Sequence, residues 1–406
     1  MRRILLVTLL LAADLLLLAP SAFAKAPAAK ASAAGATPVE PAFGSLLGAA
    51  VPDADLVLLL DVKALGRGVL DLLDFVEGTP LMSAAPDVQA EWRQARAAVM
   101  SAFSSVTATL GADPLRDLDK AVATVRLLPE GGDHQLEISL TLTGKLPPDV
   151  VNRLSPDLPS LTVAGVQVSD LGATPAGPLV AGFVAPDRLL LASPAVFEKA
   201  LASKAPAREL VARHEGLLAK SSGGLLFRLS LVLPDWLRAK VAEVPELEAF
   251  PFARGLARLR LELDQSLYVE LAGATDAAAE SARLLLEGAR EGLVGSRALA
   301  RSLALMALSL DLAKLPEVPA EWRPLLANRI ALQASIDRFL GGADLKAPEV
   351  AAKGRVASLK TDRLQLLSAA LPLGVVAAVA IPAFERFKEK AEQAAPTPPA
   401  GGPVVE

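Results

Sequence analysis

Residues 121–143 read AVATVRLLPEGGDHQLEISLTLT, and this stretch decides the fold. Two apolar-rich runs, Ala121–Leu128 and His134–Thr143, flank Pro129-Glu130-Gly131-Gly132-Asp133, a turn composition that joins strands into a hairpin. In the second run Leu136, Ile138, Leu140 and Leu142 alternate with Gln135, Glu137, Ser139, Thr141 and Thr143. A period of two is the side-chain repeat of a strand, so the pattern predicts a sheet with one face covered and one polar face in water.

The same signature returns at Leu256–Leu263, where Leu259, Leu261 and Leu263 alternate with Arg258, Arg260 and Glu262, before a partner strand at Leu267–Leu271. Around the first hairpin, residues 43–205 read as one module. Leu56–Val62 is a near-continuous apolar run, as in a strand covered on both faces, and a short helix follows to Phe75. Pro86 opens and Gly111 stops a longer helix, Pro86–Leu110. A helix at Pro147–Leu154, strands at Leu161–Val168, Leu179–Val184 and Arg188–Leu191, and a helix opened by Ser193-Pro194 complete it.

Residues 206–342 repeat this order of parts. A charged helix, Ala207–Lys220, leads to a strand at Leu225–Leu233, a helix opened by Pro234-Asp235, the second hairpin and a helix at Asp276–Glu291. Gly288, Gly292 and Gly295 read as a helix stop and turn before another helix, Arg297–Leu312. A short helix at Ala320–Leu326 and a strand at Arg329–Arg338, with Ile330, Leu332, Ala334 and Ile336 inward, close the module. The fold class expected is α+β: two related modules of mainly antiparallel sheet with helices packed on one face.

The flanks carry topology. Arg2 and Arg3, an apolar run from Ile4 to Ala19 and the small-residue site Ala22-Phe23-Ala24 predict a signal peptide over 1–24, with an uncleaved anchor as the alternative because Asp14 interrupts the run. Residues 25–42 are an Ala/Pro-rich linker. Residues 343–363 read as a stalk. Leu364–Phe384, LQLLSAALPLGVVAAVAIPAF, has no charged residue over 21 positions and sits between Arg363 and Glu385-Arg386, which is the length and framing of a transmembrane helix. A buried helix of the body is the alternative. Residues 385–406 form a basic flank and a Pro/Ala/Gly-rich tail.

Within that stretch, Gly374-Val375-Val376-Ala377-Ala378-Val379-Ala380-Ile381-Pro382-Ala383-Phe384 resembles the second half of the hydrophobic spine of type IV pilins and pseudopilins. The resemblance implies a helix at home in a bacterial inner membrane, with Gly374, Ala377, Ala378, Ala380 and Pro382 on its packing surface. Aligned on the glycine and proline, Lys360 and Thr361 fall at the family's cleavage junction and Gln365 at its glutamate position. Prepilin-type processing is therefore not expected.

Composition narrows the chemistry. The chain has 406 residues and no cysteine, which removes disulfides, thiolate metal sites and a thiol nucleophile. A net charge of -4 with no basic stripe argues against nucleic acid as a partner. Of two histidines, His214 sits on a charged helix and His134 at a strand start, and neither has a ligand partner at metal-site spacing; solvent-facing or structural roles are expected for both. The chain has no Gly-x-Ser-x-Gly elbow, Ser-x-x-Lys pair or phosphate-cradling loop. The pairs Asp53/Asp55, Asp113/Asp117 and Glu246/Glu248 read as solvated turn carboxylates, and Trp92, Trp236 and Trp322 as core or rim anchors.

The functional expectation is a non-enzymatic bacterial cell-envelope protein with no cofactor and no metal. Its periplasmic body is anchored in the inner membrane by the C-terminal helix and presents an interaction surface to a protein partner. An accessory role in a pilus-like or secretion assembly, and a periplasmic solute binder or enzyme with a dispersed site, are the alternatives.

Overall fold

The computed structural model describes residues 43–78, 86–129, 136–154, 158–174, 176–202, 208–219, 224–245, 251–264, 266–309, 328, 330, 333–334 and 347–362. The expected signal peptide, the linker, the apolar stretch 364–384 with its packing residues, and the tail lie outside the described residues, as do His134, Trp322, Glu246 and Glu248.

The chain is α+β and its strands form one large antiparallel sheet. In order these are β1 (Leu56–Asp61), β2 (Leu118–Leu127), β3 (Leu136–Gly144), β4 (Ser160–Val163), β5 (Val166–Thr174), β6 (Gly177–Ala185), β7 (Arg188–Ala192), β8 (Phe227–Val232), β9 (Leu256–Leu263), β10 (Ser266–Gly273), β11 (Glu349–Lys353) and β12 (Val356–Asp362). Across the sheet they lie β11-β12-β10-β9-β8-β1-β2-β3-β7-β6-β5-β4. The strands of the two expected modules thus share one sheet, joined where β1 pairs with β8 and Leu58 faces Leu229. Outward from that pair the order is β1-β2-β3-β7-β6-β5-β4 on one side and β8-β9-β10-β12-β11 on the other.

The helices are α1 (Val62–Glu77), α2 (Pro86–Leu110), α3 (Val150–Leu154), α4 (Pro194–Ala202), α5 (Arg208–Arg213), α6 (Asp235–Ala242), α7 (Pro251–Arg254) and α8 (Asp276–Ser309). They cover both faces of the sheet, not one. On one face Val57 and Leu59 pack with Val122 and Leu190 beneath Phe43, Leu47, Phe197 of α4 and Leu210 of α5. On the other, Leu58 and Leu60 pack with Leu65 of α1, and further along Leu271 and Leu359 pack with Ala282 and Leu286 of α8.

Burial reverses the expectation for the first hairpin. The polar positions Thr124, Ser139 and Thr141 are buried, whereas Ile138, Leu140 and Leu142 are only partly so. Short hydroxyl side chains can be enclosed when they are bonded, and here Thr124 Oγ1 lies 2.7 Å from Ser139 Oγ and accepts from the Val51 amide at 3.0 Å. Thr124→Val keeps the shape but strands the Val51 N–H and the Ser139 hydroxyl. It is expected to cost about 1–3 kcal/mol, read as a shift in urea midpoint.

Four other expectations are corrected. Leu161–Val168 is two strands, turned back at Ala164-Gly165, whose φ values of 48 and 82 suit a two-residue hairpin turn. Within the expected helix Ala207–Lys220, the described residues 208–219 are helical over α5 and pass into a turn from His214 onward. Gly288, Gly292 and Gly295 do not stop a helix: α8 runs through them for 34 residues. Each interior glycine costs about 1 kcal/mol, and burial of Ala282 and Leu286 with Leu293 against the sheet outweighs that. Ile330, Gln333 and Ala334 are helical rather than extended, and Ile330 is 85% exposed.

The largest correction concerns the stalk. β11 and β12 lie within it, and β12 pairs with β10 from Ser266↔Asp362 to Ala272↔Val356. Among the described residues Glu349, Lys353 and Lys360 are exposed on the two strands and Arg355 on the turn between them, while Ala357 and Leu359 of β12 are buried.

Candidate functional site

The densest concentration of charge inside the protein is on one face of β8, β9 and β10, under the turn that follows α5. The first half of the sheet carries neutral residues at matching register. Val57 pairs with Thr124 and Leu59 with Val122 on β1–β2, whereas Arg228 pairs with Glu262 and Ser230 with Arg260 on β8–β9. One strand further out, Ser139 and Thr141 on β3 correspond to Tyr268 and Glu270 on β10.

Arg228 is fully buried. Its Nε donates to Glu262 Oε2 at 3.0 Å, and its Nη1 donates to the carbonyls of Leu217 at 2.6 Å, Ala219 at 2.9 Å and Gly216 at 3.2 Å. The guanidinium therefore ties the turn after α5 to the sheet, and its fixed fork suits the job better than an ammonium would. Gly216 has φ +77, and a Cβ there would sit 1.8 Å from Arg260 Nη1, so only glycine lets this turn press onto the arginines.

Glu270 is the second anchor. It meets Arg258 Nη2 and Arg260 Nη2, each at 3.0 Å, and accepts from the Tyr268 hydroxyl at 2.8 Å. Arg260 also stacks 4.9 Å above the Tyr268 ring. Burial, then the bond to Glu270, pushes the Tyr268 hydroxyl above its ordinary range. Arg258 reaches outward to Glu215, whose carboxyl it holds below the usual carboxylate range.

The third part is a clasp from α5 onto the entry to β1. Arg213 pairs with Asp55, whose Oδ2 accepts from the Leu127 amide at 2.7 Å. Burial pushes the Asp55 carboxyl up, against the pull of that amide and of Arg213. His214, expected on a charged helix face, is fully buried. Its Nε2 lies 2.9 Å from the Ala54 carbonyl and its Nδ1 2.8 Å from Ser230 Oγ. A carbonyl can only accept, so Nε2 carries the proton and Nδ1 accepts from the serine. This is the hydrogen bond of a Ser–His nucleophile pair, but Ser230 and His214 are both wholly enclosed, so no substrate carbonyl reaches the hydroxyl. The pair works as a clasp.

Burial, reinforced by Arg213 and Arg258, holds the His214 imidazole below its ordinary range, with the Ala54 bond opposing. The folded protein therefore binds this proton less readily than the unfolded chain. Stability is full above about pH 6.5 and falls as the pH drops below it, by up to about 1.4 kcal/mol per pH unit, until the folded imidazole titrates. Asp55 acts with the opposite sign lower down, in the carboxylate range. His214→Gln is expected to lower stability at pH 7.5 and to flatten the slope between pH 6.5 and 5.5; urea midpoints across that range read it.

The other sequence-stated candidates are dispersed. Asp113 and Asp117 cap their own turn, Asp113 Oδ1 accepting from the Leu115 amide and Asp117 Oδ2 from the Asp113 amide, and the latter bond holds Asp117 low. Trp236 is partly buried beneath Lys240. Among the described residues no three His, Asp or Glu side chains gather to hold a metal ion. Sequence reasoning passed over Arg228, Glu262 and Glu270, although the charged alternation of β9 was visible; what it lacked was the turn that covers them. Family models, curated proteins and solved structures, when compared with the chain, contain no match.

Proposed function

We propose that the chain is an exported bacterial cell-envelope protein, anchored in the inner membrane by residues 364–384, whose body is a non-enzymatic interaction platform in the periplasm. The observation that carries this reading is where β12 stops. Asp362 ends a strand next to the edge of the sheet, and Leu364 begins the apolar stretch, so one residue separates the folded body from the expected anchor. A body joined that closely to a membrane segment is suited to presenting a surface at fixed height.

The matching order of the first five strands on either side of the β1/β8 pair supports a body made of two related modules, 43–205 and 206–342, with the second completed by β11 and β12. The tightly paired charges of β8–β10 support a structural role for that half over acid–base chemistry. Fractionation of the native protein tests the reading. Release only by detergent, with the body digested by protease in spheroplasts and the tail protected, is expected; free release with the periplasmic fraction would overturn it.

A further inference from the structure

β11 is the outermost strand of the sheet, and Glu349, Ala351, Ala352 and Lys353 along it are exposed. In the first module the strand in its place, β6, is paired on its outer side by β5. α8 packs over Leu271 of β10 and Leu359 of β12, which leaves the outer side of β11 clear.

The backbone of β11 fixes what can join it. Gly354, with φ +57, and Arg355 form a two-residue turn between Lys353 and Val356. Such a turn closes on a hydrogen-bonded pair. Counting back from it, Lys353, Ala351 and Glu349 bond to β12, whereas the N–H and C=O groups of Ala352 and Val350 point outward. An antiparallel strand added here must set its own outward-pointing residues against those two.

β11 itself, Glu-Val-Ala-Ala-Lys, meets that condition. Turned about a two-fold axis at Ala351, Val350 of one copy faces Ala352 of the other, and Glu349 faces Lys353 at both ends. Registers shifted by two residues also satisfy the backbone, but they lose both of these charge pairs. Charged side chains on an edge strand ordinarily keep other strands off. Here they select one register, because opposite charges directly across a strand pair attract and like charges repel. Among the described residues Glu349 and Lys353 form no ion pair, although Lys353 adds to the pull that lowers the Glu215 carboxyl.

We propose that β11 is a self-docking edge, through which two copies of this chain join their sheets antiparallel, with a Glu349–Lys353 pair on either side of an Ala351–Ala351 centre. The proposal does not rest on the anchored reading, but it orients it. Two copies in one bilayer have their axis along the membrane normal, so the shared sheet lies along the bilayer. α8 agrees with that orientation. It runs beside β12 from Asp276, which meets Arg355 at 2.7 Å. Its 34 residues span about 50 Å, against about 23 Å for β12. A helix that outruns β12 so far has room only where the strands lie along the membrane. A five-residue strand pair is smaller than a standard interface of about 1,600 Å², so the association is weak and is read by covalent trapping.

The chain has no cysteine, so single cysteines in the full chain report the register. Across the axis the two Ala351 Cα atoms would be about 4.5 Å apart, as in a non-hydrogen-bonded pair, which is within disulfide reach. Two Glu349 residues would lie four residues out of line, about 14 Å apart and beyond it. The purified full chain, in detergent, is oxidised with copper phenanthroline and resolved on a non-reducing gel. Ala351→Cys is expected to dimerise about tenfold faster than Glu349→Cys or Lys353→Cys alone, and a mixture of the latter two should recover the rate. On the Ala351→Cys background Glu349→Lys should slow the cross-link, and adding Lys353→Glu should restore it. These positions are exposed, and matching urea midpoints verify that the variants fold. No dimer from Ala351→Cys, equal rates at 351 and 349, or indifference to charge reversal overturns the proposal. So does a cross-link, in cell membranes, to a protein of another mass in place of the dimer.

Discussion

Arg228→Ala is expected to destabilise the protein by about 3–5 kcal/mol, the cost of leaving the other half of a buried ion pair without its partner. Glu262 would be left without its partner at 9% exposure, and the carbonyls of Gly216, Leu217 and Ala219 would lose a shared donor. The turn that carries them also places His214, so the loss should spread to the clasp on β1. The cost shrinks if both charges go together. Arg228→Met with Glu262→Leu removes the desolvation cost along with the attraction, and should recover most of the stability lost by the single variant. Urea denaturation of the single and double variants measures both. A cost below about 1 kcal/mol for Arg228→Ala, the size of an exposed pair, would mean that the turn lifts away and water reaches the arginine.

Leu359→Ala is expected to cost about 2–5 kcal/mol, the range for a leucine truncated inside a packed core. Leu359 is 4% exposed and lies among Leu271, Ala282 and Leu286. In a solvated stalk the same substitution would fall within about 0.5 kcal/mol of zero. The two outcomes do not overlap, so the urea midpoint of this variant decides between strand and stalk. Lys360→Ala, one residue on and on the exposed side, is the matched control and should change little. Since β12 leads directly toward the apolar stretch, a destabilised Leu359 variant should also loosen the link between body and membrane, read as faster protease cleavage near residue 362 in spheroplasts.

These variants mark where reading the chain linearly succeeded. The helix Pro86–Leu110 and the two hairpins were legible because their signals are local: a proline at the first turn, a glycine after the last, and alternation over eight or more residues. The stalk was misread because β11 and β12 are short, β11 is largely exposed with Ala351 and Ala352 in its middle, and β12 alternates the buried Ala357, Leu359 and Thr361 with Ser358 and Lys360. Such a strand declares itself only when β10 supplies its hydrogen bonds. The glycines of α8 misled for the same reason, since the sheet that holds the helix together comes from residues far away in sequence.

The amino-acid sequence by itself determined the α+β class, the periodicity of the two hairpins, the absence of thiol chemistry and the charge-free stretch after Arg363, because these depend on composition and on neighbours within a turn or two. Only the tertiary structure decided which face of each strand is the interior. Alternation states that two faces differ. It does not state which of them another layer will cover, and here Phe43–Val51 covers the hydroxyls of β2 and β3 while the turn after α5 covers the charges of β8 to β10. A buried threonine–serine pair and a buried arginine are stable only because partners distant in sequence, Val51 for Thr124 and Glu262 for Arg228, satisfy them, and no local pattern encodes those partners.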